Sequence, residues 1–293
     1  MLTVVSDRLN PVSKLSQTWN SDAFGDINVH PRVCPYCGGA TSETGAERYG
    51  RDIWRVVDCD TCGFVYLGKA PDYAEMFEKM AWEKSSKVED QRRETERATG
   101  YKLSKKTRAR LHLFPRKDIV NLIACHAESG PVIDLGCGDG AQLEKLAVEF
   151  TPCGVEISGE LAARARDRLQ ARNGTIITAP SLDGLKGFPD NYFTGALLRS
   201  YLEHEMAPLP VLQELARTLA PRGVVVIKVP NYGSLNRRVM GSRWCGFRFP
   251  DHLNYFTPKS LRRMIADAGL KVQKFGLMDH LPTGDNMWMI AAK

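Results

Sequence analysis

This 293-residue chain has no long apolar run. None approaches the roughly 18 residues that a membrane-crossing helix needs. The first 30 residues lack the basic-then-apolar layout of a secretory leader, so they are expected to form a tail, and the protein is expected in the cytoplasm. Internal repeats and low-complexity tracts are also missing, which excludes a solenoid. Acids are absent from two stretches. Residues 97–117 hold eight Lys or Arg and no Asp or Glu, and residues 224–250 hold Lys228, Arg237, Arg238, Arg243 and Arg248, again without an acid. Either can be a solvated face. Together they point to an anionic partner, such as a phosphorylated or nucleotide-linked small molecule. The rest of the composition is ordinary: 43% hydrophobic and 25% charged, enough for one main core and a small accessory unit.

Eight cysteines are present, and four fall into two pairs, Cys34-Pro35-Tyr36-Cys37 and Cys59-Asp60-Thr61-Cys62, with 21 residues between them. Each pair fits a tight knuckle, followed by Gly38-Gly39 or Gly63 where the chain must turn. Four thiolates in a closed tetrahedral set suit a structural rather than a catalytic Zn²⁺. Reduced pairs without metal are the alternative; disulfides are disfavoured without an export signal. Ile53-Trp54-Arg55-Val56-Val57 between the knuckles reads as a ribbon strand. Cys125, Cys137, Cys153 and Cys245 are scattered, as small buried hydrophobes are.

The stretch Val132-Ile133-Asp134-Leu135-Gly136-Cys137-Gly138-Asp139-Gly140 reads as a buried strand entering a glycine-rich turn, with a helix predicted over 141–150. Glycine has no Cβ and lets a ligand approach the backbone. Gly136, Gly138 and Ala141 satisfy the G-x-G-x-x-G/A dinucleotide spacing, with Glu156 placed for a ribose contact. The acids redirect that reading. Asp134 and Asp139 would repel a pyrophosphate and attract a ligand that carries a sulfonium and an ammonium. S-adenosylmethionine (SAM) carries both, and its ribose diol suits Glu156. A nicotinamide dehydrogenase is the competing interpretation of the same turn.

From residue 131 onward strands and helices alternate. Strands are predicted at 132–135, 153–157, 175–178, 192–198, 224–229, 271–277 and 287–292, and helices at 159–171, 208–219 and 260–268. Residues 224–229 are almost continuously apolar, as in a strand covered on both faces. The alternation implies an α/β domain with a doubly wound, mostly parallel sheet. Ligands then bind beyond the carboxyl ends of the strands, where strand order reverses. Four parts result: a tail at 1–30, a zinc-ribbon-like module at 31–68, a helical connector or cap at 69–130, and a SAM-binding domain at 131–293. In the connector, Tyr73, Met76, Phe77 and Met80 recur at helical spacing.

Residues 131–293 resemble the class I SAM-dependent methyltransferases. The resemblance rests on the glycine motif at 132–140 and on Gly154-Val155-Glu156-Ile157-Ser158 as an acidic strand end. It continues through Phe188-Pro189-Asp190-Asn191-Tyr192-Phe193 into Leu202-Glu203-His204, and through Leu219-Ala220-Pro221-Arg222-Gly223. With the four cysteines and Asp251-His252-Leu253-Asn254-Tyr255-Phe256-Thr257, the chain is similar to a bacterial group associated with sugar, polysaccharide or secondary-metabolite modification. The resemblance implies a seven-stranded Rossmann-like methyltransferase sheet. It also implies SAM contacts at Asp134, Gly136, Cys137, Gly138, Asp139, Glu156, Ile157, Ser181, Leu182 and Arg199. The chain departs from the family pattern at Phe193-Thr194, where Phe-Asp is common. It departs again at Arg199-Ser200-Tyr201, where a small or polar residue is common.

Methyl transfer from a sulfonium mainly requires alignment of the nucleophile and removal of its proton. His252 is the first candidate base, because histidine titrates near neutral pH. It is flanked by Trp244, Phe247, Phe249, Tyr255 and Phe256, which either wall a ring-shaped acceptor or pack the insertion onto the sheet. His204 and Tyr255 are further candidates. The expected reaction is methylation of a hydroxyl on a sugar or related, anionic small molecule. An RNA-modifying enzyme that grips nucleic acid through the ribbon and the basic stretch ranks lower, since no Asn-Pro-Pro-Tyr-like motif follows strand four. Sugar C-methylation is the other alternative.

Overall fold

The computed structural model describes residues 17–21, 25–39, 49–71 and 117–293. The basic stretch at 97–117, apart from Lys117, and the apolar positions Tyr73, Met76, Phe77 and Met80 lie outside the described residues. Two small antiparallel sheets come first. One has the order β1-β2-β6, with β1 at Gln17–Ser21, β2 at Gly25–Pro31 and β6 at Lys69–Pro71. The other contains β3 (Gly50–Arg51), β4 (Trp54–Asp58) and β5 (Val65–Leu67). The expected tail is therefore built into the fold from Gly25 onward. Ile27 and Val29 alternate inward and are fully buried against Trp54, Val56 and Leu67. That is the period-2 signature of a half-buried strand.

The remaining elements are α1 (Ile119–His126), β7 (Gly130–Leu135), β8 (Phe150–Glu156), α2 (Gly159–Leu169), β9 (Thr175–Thr178) and α3 (Ser181–Lys186). They continue with β10 (Phe193–Arg199), α4 (Pro208–Thr218), β11 (Leu219–Pro230), α5 (Leu235–Met240) and β12 (Asn254–Tyr255). The chain closes with α6 (Pro258–Asp267), β13 (Lys271–Lys274) and β14 (Asn286–Ala292). Seven strands form one sheet in the order β13-β14-β11-β10-β7-β8-β9. Neighbours from β11 to β9 are parallel, and β14 runs antiparallel to both β11 and β13. This is the predicted doubly wound, mostly parallel Rossmann-like methyltransferase sheet.

Both faces of the sheet are covered. Ile123 of α1 and Ala165 and Leu169 of α2 share one core with Val132, Leu197 and Val226. Leu185 of α3, Leu212 and Leu215 of α4, and Leu261 of α6 share the other with Ile133, Leu198 and Val225. Each fully buried aliphatic side chain stabilises the fold by about 1.5–3 kcal/mol. Ser158 caps α2, its Oγ accepting from the Leu161 N–H at 3.3 Å. From β7 the chain moves outward through β8 and β9, then returns to place β10 and β11 on the opposite side. The reversal lies between β7 and β10, so the crevice at their carboxyl ends is the natural ligand position. No helix among the described residues is long and apolar enough to cross a membrane.

The helix predicted over 141–150 is absent; only a single 3₁₀ turn forms, at Leu143–Lys145. Register explains this. Gly130 pairs with Phe150 and Leu135 with Val155, so the chain must travel back along the whole of β7. Residues 136–149 cover that distance as turns around one 3₁₀ turn. Arg172 supports that path. The Arg172 Nη1 donates to the carbonyls of Glu144 (3.2 Å) and Leu146, and Nη2 to those of Ala147 (2.8 Å) and Phe150 (2.9 Å).

Candidate active site

The turn after β7 is bonded largely to itself. Gly136 and Gly138 stand at φ 69° and 57°, left-handed values that favour glycine. The N–H groups of Gly136 and Cys137 both donate to the Val155 carbonyl, at 2.9 and 3.2 Å, and that of Gly140 to the Cys137 carbonyl at 3.0 Å. The Gly138 N–H donates to Glu156 Oε2 at 2.8 Å, while Glu156 Oε1 accepts from the Ser158 N–H at 2.8 Å. A pyrophosphate cradle needs main-chain donors aimed at the ligand and a helix N-terminus behind them. Here the donors are engaged and the helix is missing, which removes the physical basis of the dinucleotide interpretation. A Cβ on Gly136 would lie 3.0 Å from the Tyr201 ring, so glycine keeps the gap between turn and ring open.

Asp134 ends β7, 4% exposed. Burial, and then the neighbouring Glu156, push its pKa up to about 8, against the opposing pull of Arg199. A cationic ligand group beside it would reverse that shift. Asp139 turns away. Its Oδ2 lies 2.6 Å from Arg168 on α2 and its Oδ1 accepts from the Ala141 N–H at 3.2 Å. The charge expected to face the ligand from Asp139 is thus matched by Arg168, and the preference for a cation rests on Asp134 and Glu156. The Cys137 side chain also points inward: its Sγ would be 2.6 Å from a Cβ on Gly154, and burial raises its thiol pKa far above the usual range. Only its main chain belongs to the turn. Ile157 follows Glu156, half-buried, and Ser181 opens α3 next to the ends of β8 and β9. Leu182 packs against the core, and Arg199 closes β10 on the Asp134 side.

A second group lies after β10. Ser200 passes through φ 53°, and the chain then folds into a turn at 201–205. Tyr201 donates its hydroxyl proton to Glu205. Glu203, His204 and His252 each bring one ligating atom within 4.8 Å of the other two. The imidazoles meet edge to face, with centroids 4.8 Å apart. Main-chain carbonyls hold both rings: Asp251 O lies 2.9 Å from His204 Nδ1, and Gly246 O lies 2.8 Å from His252 Nδ1. With each Nδ1–H donating, Nε2 is the basic nitrogen of each ring. Glu203 Oε2 is buried without a hydrogen-bond partner, and burial pushes this carboxyl up to about 8. Burial and then Arg248 push His204 down to about 4. A ring that stays neutral to such low pH is a weak proton acceptor.

This turn is held from outside the large sheet. The Glu203 carbonyl accepts from the N–H groups of Leu253 and Asn254 at 2.7 and 3.0 Å. Asn254 Nδ2 donates to the carbonyls of Leu202 and Glu205 at 2.8 and 2.6 Å. β12, which carries Asn254, pairs with β5 of the N-terminal module. Arg32 adds donations to the carbonyls of Leu67 (3.2 Å), Leu253 (3.0 Å) and Met206 (3.3 Å). Sequence reasoning misses the roles of Glu203 and Asn254. Both stand in the quoted motifs, but an acid or amide beside a histidine carries no signal of burial.

The aromatics around His252 are packing residues: Phe249, half-buried, stacks on Phe247 at 5.8 Å, and the other four are buried outright. Trp244, Phe247, Tyr255 and Phe256 are at most 4% exposed. The first three share a core with Ile27, Trp54 and Leu67, and Phe256 meets Phe64 edge-on at 5.4 Å. They serve the docking of the insertion onto the N-terminal module. Tyr255 belongs to that core: its hydroxyl is buried without a partner, and burial raises its pKa well above the usual value.

The four paired cysteines converge. Cys34 and Cys62 Sγ lie 3.6 Å apart, Cys37 and Cys59 Sγ 3.5 Å apart, and all four fall within 4.8 Å of one another. Each knuckle is closed by a glycine N–H: Gly38 donates to the Cys34 carbonyl at 2.9 Å and Gly63 to the Cys59 carbonyl at 2.8 Å.

A family model for a methyltransferase domain matches residues 104–274, more than half of the chain, and the chain belongs to that family. Its SAM-dependent methyltransferase domain accounts for the sheet order and the acidic glycine turn. Among curated proteins, a trans-aconitate 2-methyltransferase of Delftia acidovorans is 33% identical over 120 residues, covering 39% of this chain and 43% of that protein. One of Variovorax paradoxus is 31% identical over 107 residues, covering 36% and 40%. The chain thus spans less than half the length of these relatives. A SAM-dependent methyltransferase structure from Archaeoglobus fulgidus superposes with a TM-score of 0.47 at 19% identity, covering 59% of this chain and 90% of that one. The geranyl diphosphate C-methyltransferase of Streptomyces coelicolor gives 0.46 at 16%, covering 59% and 76%.

Proposed function

We propose that the protein methylates a hydroxyl of a small-molecule acceptor, a sugar or related metabolite, at the carboxyl ends of β7 and β10. The observation that carries this is the pair of carboxylates, Asp134 and Glu156, around a glycine turn whose main-chain donors are turned inward. Asp134 faces the ammonium of SAM, Glu156 the ribose hydroxyls, and Ser181 the adenine side. SAM supplies an activated methyl group on a sulfonium. With that donor bound, His252 Nε2 would take the proton of the acceptor hydroxyl as its oxygen receives the methyl group, leaving the neutral thioether to depart. Glu203 and His204 orient that ring and polarise its surroundings. The names of the curated relatives support a small-molecule acceptor.

The cysteine set holds a structural zinc in this proposal. Thiolates about 2.3 Å from one zinc ion stand about 3.8 Å apart in a tetrahedron, close to the observed sulfur separations. Cys34, Cys37, Cys59 and Cys62 leave no open position for a water, so the ion would cross-link the two knuckles.

S-adenosylhomocysteine should raise the melting temperature and NAD should not. Labelled methyl from SAM should then appear on a hydroxyl when candidate acceptor pools are followed by mass spectrometry. His252→Ala should keep S-adenosylhomocysteine affinity and lose transfer. Stabilisation by NAD alone, or transfer unchanged in His252→Ala, would contradict the cofactor or the base assignment respectively.

A further inference from the structure

We propose that Arg199 and Lys228 form an oxyanion subsite that holds a carboxylate or phosphate of the acceptor. The proposal rests on the methyltransferase function above and names the acceptor class. Arg199 and Lys228 are register partners at the carboxyl ends of β10 and β11. Strand alternation places them on the α1 face with Asp134; Arg199 lies two residues beyond Leu197, the register partner of Asp134. They open onto a cavity of about 340 Å³, together with Lys117, Gln142, Asn286 and Trp288. That volume suits a small metabolite.

The other charges of this cavity are already matched. Lys117 is paired with Asp279, and Asp118 caps α1, accepting from the Val120 and Asn121 N–H groups. Arg199 makes no ion pair or hydrogen bond among the described residues. Among the described residues Lys228 reaches the Ser200 hydroxyl, at 3.5 Å, and lies 5.9 Å from the centre of the Trp288 ring. The two cations repel each other: burial and then Arg199 lower the Lys228 pKa. Asp134 lies within electrostatic reach of Arg199, and Glu203 within reach of Lys228, but no ion pair among the described residues joins them. An exposed and a half-buried cation side by side, neither in an ion pair among the described residues, are what an anionic ligand relieves. Glu203 lies within electrostatic reach of Lys228, which connects the subsite to the acid–base turn.

An oxyanion here has two sources, the acceptor or the carboxylate of the methyl donor, and the test separates them. Inorganic phosphate and citrate are titrated by calorimetry into protein saturated with S-adenosylhomocysteine. Saturable binding is expected, weakened about tenfold or more by Arg199→Gln and by Lys228→Met and restored by Arg199→Lys. S-adenosylhomocysteine affinity should change by less than about threefold in Lys228→Met. Neither probe binding to the wild type, or equal binding in all variants, overturns the proposal. So does a parallel fall in S-adenosylhomocysteine affinity in Lys228→Met, which assigns the pair to the methyl donor. If Lys228→Met does not fold, Arg199→Gln at the more exposed position decides. Failure of the methyltransferase function itself shows separately, as no S-adenosylhomocysteine binding to the wild type, and phosphate is then titrated alone.

Discussion

The two halves of the site are built differently. The cofactor half is made by the sheet itself: Asp134, Gly136, Gly138 and Glu156 are strand ends and the turn between them, cross-bonded to adjacent main chain. The acid–base half is a loop, 201–205, whose carbonyls are held by Leu253 and Asn254, and these are anchored through β12 to β5 of the cysteine module. The first half is as stable as the central sheet. The second has Leu202 in the core of the large sheet but takes its carbonyl partners from the segment paired with the module. Under the proposed function, binding of the methyl donor and positioning of the proton acceptor should therefore be separable.

The largest expected effect sharpens that separation. If the four thiolates hold the proposed zinc, chelation or Cys59→Ser should unfold the module, since a structural four-thiolate site contributes several kcal/mol. Methyl transfer should vanish while S-adenosylhomocysteine still stabilises what remains; loss of both together, in a thermal-shift titration, would break the comparison. Asn254→Ala removes two buried hydrogen bonds and should cost about 2–3 kcal/mol in denaturant melts. Transfer should fall about tenfold or more in that variant, at unchanged donor affinity. Glu156→Gln should do the reverse, weakening S-adenosylhomocysteine about tenfold or more by calorimetry and leaving the module's melting untouched.

A pH effect comes next. Asp134 carries a proton below about 8 in the free protein and must lose it to face an ammonium. Donor affinity should therefore rise with pH, by at most about tenfold per unit, and level off above about 8. Asp134→Asn should abolish the slope. The smallest effect belongs to Arg168→Ala. Its partner Asp139 supports the turn from outside, so S-adenosylhomocysteine affinity should stay within about twofold of wild type.

The sheet and the cofactor half were legible because their signals are local. An unbroken Val224–Ile227 run declares a strand covered on both sides, and the spacing of Asp134, Gly136, Gly138 and Glu156 follows one β–turn–β unit. The absent helix after Gly140 was not legible, because Leu143 and Leu146 suit a helix and only the register of β8 forbids one. The role of Asp139 was lost for a similar reason: Arg168, its partner, lies 29 residues away. The acid–base half depends on still longer contacts. Arg32 meets Leu253 across 221 residues of sequence, and no pattern in either segment names the other. The aromatic cluster around His252 misled for the same reason, since its covering partner is the N-terminal module.

Hydrogen exchange on metal-loaded and metal-stripped protein tests the separation of the two halves most directly. On stripping, peptides covering Leu253 and Asn254 should lose protection about tenfold or more, while those covering Gly136 to Gly138 keep theirs. Equal loss in both regions, or full protection in both, would contradict it.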